Sequence, residues 1–144
     1  MINSVQESAL TLTSNSSSIP FNTDVVRTNS ANCCGWLSHS TGSSIYQITK
    51  GGLYEISYNA NITSATAGVV GLTLRNNGEQ MVGSEGDSVV ATANQFDNIG
   101  GTRLLRVCGN GTASITLGSV ATINGVATQI PIVKNVSFII EKLA

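Results

Sequence analysis

An alternation of apolar and polar residues with a period of two occupies the middle of the sequence. In residues 53–62 one face would carry Tyr54, Ile56, Tyr58, Ala60 and Ile62. The opposite face would carry Leu53, Glu55, Ser57, Asn59 and Asn61. Because successive side chains of a strand point to opposite sides of its sheet, the pattern predicts a strand with one face in a hydrophobic core. This feature constrains the fold more than any other in the chain.

The remaining sequence also favours strands and turns over helices. Ser, Thr and Asn supply 47 of the 144 residues and Gly another 15, and these types are weak helix formers. With no segment of 3.6-residue period, we predict ten strands, at residues 10–13, 23–27, 44–49, 53–62, 69–75, 80–83, 103–108, 113–120, 129–133 and 136–143. Asn-Gly pairs at Asn77-Gly78, Asn110-Gly111 and Asn124-Gly125 predict tight hairpins, and we expect a fourth hairpin turn at residues 50–52. The chain should therefore form a single all-β sandwich domain.

The charge balance and the chain start exclude several classes of function. Seven basic and eight acidic residues give a net charge of −1, so nothing favours binding to nucleic acid. No apolar run approaches the roughly 20 residues that cross a bilayer, so we expect no membrane association. The first residues lack a basic stretch followed by an apolar core, and we expect no secretory signal.

The reactive residue types do not assemble into a catalytic or metal-binding motif. His39 is the one histidine, in a serine-rich stretch, and we expect it to be a solvated loop residue. Cys33 and Cys34 are adjacent, which disfavours a disulfide between them, and Cys108 is interpreted as a small buried side chain. Glu85 and Asp87 offer too few ligands for a calcium loop. We therefore predict no enzyme activity, no metal and no cofactor.

Residues 40–62 resemble the globular-head family shared by complement first component and tumour necrosis factor. That family carries Gly-x-Tyr-x-aromatic-x-aromatic on its third main strand, and this chain reads Gly52-Leu53-Tyr54-Glu55-Ile56-Ser57-Tyr58, with isoleucine at the middle aromatic position. Further segments follow in the family's order, at residues 19–22, 74–79, 105–107, 109–111 and 136–140. The resemblance extends over roughly residues 8 to 143, and the bacteriophage and bacterial members are the most similar.

The resemblance implies a ten-stranded jelly roll over residues 8–144, assembled as a homotrimer, with residues 1–7 as an N-terminal extension. Apolar residues on outward-facing positions, such as Leu53, Leu104 and Ile139, favour a subunit contact as well. The resemblance places that contact at Leu53, Glu55, Ser57, Asn59, Arg106, Ser137, Ile139, Glu141 and Leu143. We hypothesise that Arg106 pairs with Glu55 or Glu141 of a neighbouring subunit, because carboxylates gathered near an axis would otherwise repel.

Three non-enzymatic functions fit this interpretation. The first is a structural protein of a bacteriophage virion, either a trimer that decorates the capsid or the head of a fibre, folded in the host cytoplasm. Residues 1–7 would then attach it to capsid or fibre proteins. The second is the trimeric head of a bacterial surface or spore-coat filament, although no Gly-X-Y stalk precedes it. The third is an adhesin that binds a host-surface glycan or a receptor. We expect the first.

Overall fold

The computed structural model describes residues 1–27 and 35–144, and every regular element in these two ranges is a strand. In chain order the strands are β1 (Ile2–Gln6), β2 (Leu10–Thr11), β3 (Thr23–Arg27), β4 (Leu37–Ser38), β5 (Tyr46–Ile48), β6 (Gly52–Ser64), β7 (Gly68–Asn76), β8 (Glu79–Gln80), β9 (Gly86–Val90), β10 (Asp97–Val107), β11 (Ala113–Ser119), β12 (Thr122–Ile123), β13 (Val126–Ala127) and β14 (Pro131–Lys142). Within this part of the chain there is no helix long and apolar enough to span a membrane.

The strands form two antiparallel six-stranded sheets and a small separate hairpin. The first sheet has the order β10-β6-β14-β1-β3, with β2 paired to β14. The second has the order β4-β5-β11-β7-β8, with β9 paired to β7, and β12 pairs with β13 alone. This arrangement confirms the predicted all-β sandwich. The described part of the chain has 14 strands where ten were predicted, because the prediction missed β1, β4, β9, β12 and β13 and divided β14 into two. Three of the five missed strands are only two residues long, too short for a periodic pattern to show.

The core lies between the two sheets and is built from the inward faces that the alternation predicts. Tyr54 and Ile56 of β6 are completely buried, as is Phe138 of β14. The rings of Phe21 and Tyr46 lie 5.5 Å and 4.7 Å from that of Phe138, between centroids, so aromatic contacts join the two sheets.

Tyr58 links the sheets through its hydroxyl group. It lies on β6 of the first sheet and donates toward two carbonyl oxygens on the other side of the core. These are the oxygen of Leu72, on β7 of the second sheet, at 3.1 Å, and that of Ser84, between β8 and β9, at 2.7 Å. Burial raises the pKa of Tyr58 well above its usual range, because the phenolate would lose its hydration. Gly101 leaves room for this contact, since a Cβ there would lie 2.6 Å from the Ser84 oxygen.

Two of the four predicted hairpins are confirmed. Asn77 and Gly78 adopt φ of 52° and 84° between β7 and β8, and Asn124-Gly125 makes the same kind of turn between β12 and β13. The predictions at Asn110-Gly111 and at residues 50–52 are wrong. Asn110-Gly111 lies between β10 of the first sheet and β11 of the second, so it makes no hairpin. The same holds for residues 50–52. This segment connects β5 of the second sheet to β6 of the first, so it crosses between sheets and makes no hairpin.

The prediction that residues 1–7 form an extension before the first strand is also wrong. Residues Ile2–Gln6 form β1, which pairs with β14 on one side and β3 on the other. Ile2, Ser4 and Gln6 point inward and are buried. Two of these three side chains are polar, so their pattern did not indicate a core strand. Ser4 hydrogen-bonds to Asp24, a partner that only the tertiary structure supplies.

His39 and Cys108 also differ from expectation. His39 is only 5% exposed, and its ring stacks on Tyr46 with centroids 4.0 Å apart. Its Nδ1 lies 3.0 Å from Asp24 Oδ1 and its Nε2 lies 2.9 Å from the Ser43 carbonyl oxygen, so distant polar partners satisfy the buried ring. Cys108 is exposed because β10 ends one residue before it. Residues 33 and 34, the adjacent cysteines, lie outside the described residues.

Candidate interface on the first sheet

The nine residues predicted to form a subunit contact lie together on the side of the first sheet that faces away from the core, here called the outer face. Strand pairing aligns the outward side chains of β10, β6 and β14 into five rows. The rows, numbered one to five, are Arg106, Leu53 and Leu143; Leu104, Glu55 and Glu141; Thr102, Ser57 and Ile139; Gly100, Asn59 and Ser137; and Asn98, Asn61 and Lys134. The structure therefore brings together the residues that the sequence analysis selected.

Rows one to three form an apolar end of the outer face. Leu53 and Ile139 are partly buried by their neighbours, whereas Leu104 and Leu143 are 56% and 48% exposed. Leu104, Leu53 and Leu143 occupy neighbouring positions of rows one and two and form one apolar area, whereas Ile139 is separated from them by Glu141 and Ser57. Such areas on otherwise polar domains mark sites of contact with other molecules.

The charges on the same end are unbalanced within a single copy. Glu55 and Glu141 lie directly opposite each other on β6 and β14, an arrangement in which like charges repel. Arg106 lies one row away, and among residues 1–27 and 35–144 no ion pair joins it to either carboxylate. A second copy placed over this end could bring a guanidinium to the two carboxylates.

An open groove of about 580 Å³ borders row one. Its lining includes Leu53, Arg106 and the end of the chain at Ala144, together with Lys50 and the exposed Cys108. The backbone of Leu53 accepts from Leu143 at 2.8 Å, so the last residues continue the pairing of β14 with β6 along the groove. The groove has two cationic side chains and contributes a positive border to the apolar end.

Rows four and five form an amide end of different chemistry. Asn59 and Asn98 exchange two hydrogen bonds between their side chains, of 3.0 Å and 2.8 Å. The Asn98 amide nitrogen also lies 3.0 Å from Asn61 Oδ1. These three residues are hereafter called the amide cluster. At the edge of this end the Lys134 ammonium lies 4.1 Å from the centroid of the Phe96 ring.

The sequence analysis did not include Asn61, Asn98 and Thr102, which lie in rows three and five of the outer face. The predicted strand began at residue 103, whereas β10 begins at Asp97. Gly100 and Gly101 interrupt the alternation that would have indicated a strand here, because glycine has no side chain. The usable signal was the period-two series of Asn98, Gly100, Thr102, Leu104 and Arg106.

No catalytic or metal-binding arrangement is found in the part of the chain that the structure describes. There, no group of three His, Cys, Asp or Glu side chains is placed to hold a metal ion. Both ring nitrogens of His39 lie against the Asp24 carboxylate and the Ser43 carbonyl group, so the ring is not directed at a serine or cysteine nucleophile. Glu85 accepts a hydrogen bond from Gln80 at 3.1 Å.

Comparisons with known proteins agree on the fold. No family model and no curated protein matches the sequence. The globular domain of zebrafish complement 1qA protein superposes with a TM-score of 0.63 at 10% identity, over 99% of this chain and 96% of that one. Murine APRIL at pH 8.5 superposes with a TM-score of 0.56 at 10% identity, over 99% of this chain and 97% of that one. Murine APRIL at pH 5.0 superposes with a TM-score of 0.55 at 11% identity, over 92% of this chain and 96% of that one. The chain is similar to these proteins in fold, and that fold is the jelly roll of complement and tumour necrosis factor type that the sequence predicted.

Proposed function

We propose that this chain is a non-enzymatic head domain that assembles as a homotrimer through the outer face of the first sheet. One observation carries the proposal: the nine residues selected from the sequence lie together on the outer face, where Leu104 and Leu143 are exposed and the charges are unbalanced in a single copy. The likeness in fold to a complement globular domain and to APRIL supports it.

Association would relieve both features of the apolar end. Fully burying an exposed leucine side chain contributes roughly 1.5–3 kcal/mol. Leu104 and Leu143 are each about half exposed, so covering both would contribute roughly 1.5–3 kcal/mol per copy. Arg106 of one copy would meet Glu55 or Glu141 of the next. A closed ring of three identical contacts leaves no such face open, which limits assembly to a defined size.

The experiment is light scattering coupled to size exclusion over a range of protein concentrations, with and without EDTA. We expect a mass near three times 14.9 kDa, unchanged by the chelator. Leu104→Asp should dissociate the trimer. Val89→Asp is the matched control, because Val89 is 71% exposed on β9 of the second sheet, away from the outer face. A wild-type mass of one chain at all concentrations would refute the proposal.

We further propose that the trimer is a structural component of a bacteriophage virion, as a capsid-decoration protein or as the head of a fibre. The sparse charge and the surface rich in Ser, Thr and Asn support a mechanical role, in which a folded trimer bridges subunits or presents three identical sets of loops. Since β1 is part of the sheet, residues 1–7 are not a free tail. Attachment would use a surface of the folded domain.

Antibodies raised against the purified protein would test this role by immunogold electron microscopy on purified phage particles, cells and spores. Label on the capsid wall would support decoration, and label at fibre ends would support a fibre head. Label confined to cell or spore surfaces would replace the virion role with the filament-head alternative. Particles without label would refute the virion proposal and leave the trimer proposal untouched.

A groove of about 260 Å³ favours glycan binding as a second candidate function. Leu10, Leu12 and Pro20 provide apolar lining, and hydroxyl groups come from Thr11, Thr13, Ser17, Ser18 and Ser44. Hydroxyl and apolar groups together suit a sugar ring, which has both kinds of surface. A glycan array would test it, with Ser18→Leu as the blocking variant. Equal binding of both proteins to any glycan would exclude this groove.

A further inference from the structure

The amide cluster holds its three side chains in place through bonds among them and one from Asn98 to the Ala60 carbonyl oxygen, at 3.3 Å. Asn59 and Asn98 bond to each other in both directions, and Asn98 also donates toward Asn61. Two neighbouring strands, β6 and β10, carry the cluster, so its geometry is set by a paired backbone. A mutually bonded network of this kind loses little rotamer entropy when another surface meets it.

The cluster retains unused hydrogen-bonding capacity directed away from the sheet. A primary amide has two donors and an acceptor oxygen with two lone pairs. The exchange between Asn59 and Asn98 uses only one donor of Asn59, and the amide nitrogen of Asn61 donates to none of the described groups. Water satisfies these groups while the face is open. A surface that covers the face must replace the water or leave polar groups unsatisfied, at a cost of roughly 1–3 kcal/mol each.

An identical amide cluster is chemically complementary to this one, because every amide is both donor and acceptor. Copies that are related by rotation about an axis parallel to the strands keep each row at the same position along that axis. Rows four and five of one copy would therefore meet rows four and five of the next. The apolar rows would likewise meet each other. An antiparallel pair, or a slip along the strands, would instead bring amides against Leu104 or Ile139.

We propose that the amide cluster sets the orientation and register of the contact between copies of this chain. The inference rests on the trimer proposed above and adds which residues specify its geometry. The apolar end supplies the attraction, and the amide end penalises antiparallel and shifted arrangements, as a single buried asparagine does in a coiled coil.

Asn98→Asp tests the proposal, with Asn124→Asp as the matched control. Both changes replace an amide by a carboxylate, and Asn124 lies in an exposed Asn-Gly turn where aspartate is equally suited. At pH 7.5 the three carboxylates of the Asn98 variant would meet at one level and repel. We expect its trimer to dissociate at a protein concentration on the order of tenfold above that at which wild type dissociates. Near pH 4, where aspartate takes up protons, the difference should shrink.

A second variant addresses orientation directly. Asn59→Leu with Asn98→Leu keeps the face apolar and removes the amide penalty, so association should persist while its geometry becomes mixed. Single cysteines introduced at Thr102 or at Leu53, in chains whose own cysteines are serine, report the register through a short bis-maleimide. The two single-cysteine proteins are mixed before cross-linking. With the asparagines intact, only two cysteines at the same position, 102 with 102 or 53 with 53, should be linked. With both asparagines replaced by leucine, links between position 102 and position 53 should appear as well.

The outcomes separate the two proposals. A wild-type protein that is monomeric removes the trimer and this inference with it. A wild-type trimer whose Asn98→Asp variant matches Asn124→Asp at both pH values overturns the inference alone. A leucine variant that retains the single cross-linking pattern of wild type also overturns it.

Discussion

Replacing Tyr58 by phenylalanine removes one hydroxyl group and keeps the ring, which isolates the polar link between the two sheets. The side chain is 4% exposed, and its hydroxyl group lies 2.7 Å from the Ser84 carbonyl oxygen and 3.1 Å from that of Leu72. Neither oxygen can gain water without opening the sandwich. Leaving buried acceptors without their donor costs about 1–3 kcal/mol, so we expect a loss near 2 kcal/mol in the free energy of unfolding.

A loss of this size is measurable by thermal denaturation. For a domain of this length each kcal/mol lowers Tm by about 2–4 °C, so Tyr58→Phe should lower it by about 4–8 °C. Protein concentration must be equal in all samples, because Tm of an oligomer depends on concentration.

Tyr54→Phe is the matched control for this experiment. Its hydroxyl group donates a hydrogen bond of 2.6 Å to the carbonyl oxygen of Lys50, in the connection between β5 and β6. This bond stays within the local segment and does not link a strand of one sheet to a strand of the other. We expect Tyr54→Phe to lower the free energy of unfolding by about half as much as Tyr58→Phe does. A Tyr58→Phe protein as stable as wild type, or more stable than Tyr54→Phe, would refute the view that this hydroxyl group ties the sheets together.

Four further predictions follow from the same contacts. Arg106→Glu should weaken association roughly tenfold, since three exposed pairs of about 0.5 kcal/mol each are lost, and adding Glu55→Arg should restore part of it; a trimer unaffected by Arg106→Glu in light scattering excludes the pairing. Burial raises the pKa of Tyr46 and Tyr58, so as pH rises the unfolded chain releases these protons before the folded one does. The free energy of unfolding should therefore fall as pH rises above about 10. Urea titrations should show a shallower fall for Tyr58→Phe than for wild type, and an equal fall would contradict this. His39→Ala should lower the free energy of unfolding by about 2 kcal/mol or more, because Asp24 and Ser43 lose a buried partner. Ser40 is exposed, so Ser40→Ala should lower it by less than about 0.5 kcal/mol in the same denaturation assay. Gly101→Ala should destabilise more than Gly109→Ala, since a Cβ at Gly101 would meet the Ser84 oxygen at 2.6 Å and one at Gly109 meets nothing within 4 Å; equal Tm values would contradict it.

The correct parts of the sequence analysis rest on local chemistry. The alternation along β6 identified its inward and outward faces, because side-chain direction in a strand depends only on position parity. The same rule placed Ile139 and Glu141 of β14 on the outer face. The turns at Asn77-Gly78 and Asn124-Gly125 were predictable because two consecutive residues must tolerate positive φ.

The errors arise where partners are distant along the chain. His39 was expected in solvent, yet Asp24, fifteen residues away, and the ring of Tyr46 offset the cost of its burial. The strand at Ile2–Gln6 was missed because its inward side chains include Ser4 and Gln6, whose hydrogen-bond partners belong to other segments. Propensity and period describe a residue's own segment and contain no information on such partners.

The sequence by itself determined the fold class and the two faces of the main strands, because each depends on alternation or turn chemistry within a few residues. The residue set of the candidate interface came from the family resemblance. Only the tertiary structure decided which strands are neighbours. Register across β10, β6 and β14 placed Glu55 against Glu141 and joined Asn59 to Asn98, thirty-nine residues apart. Pairing between distant segments is selected by the burial of the whole sandwich, and that is a property of the folded chain and not of any one segment.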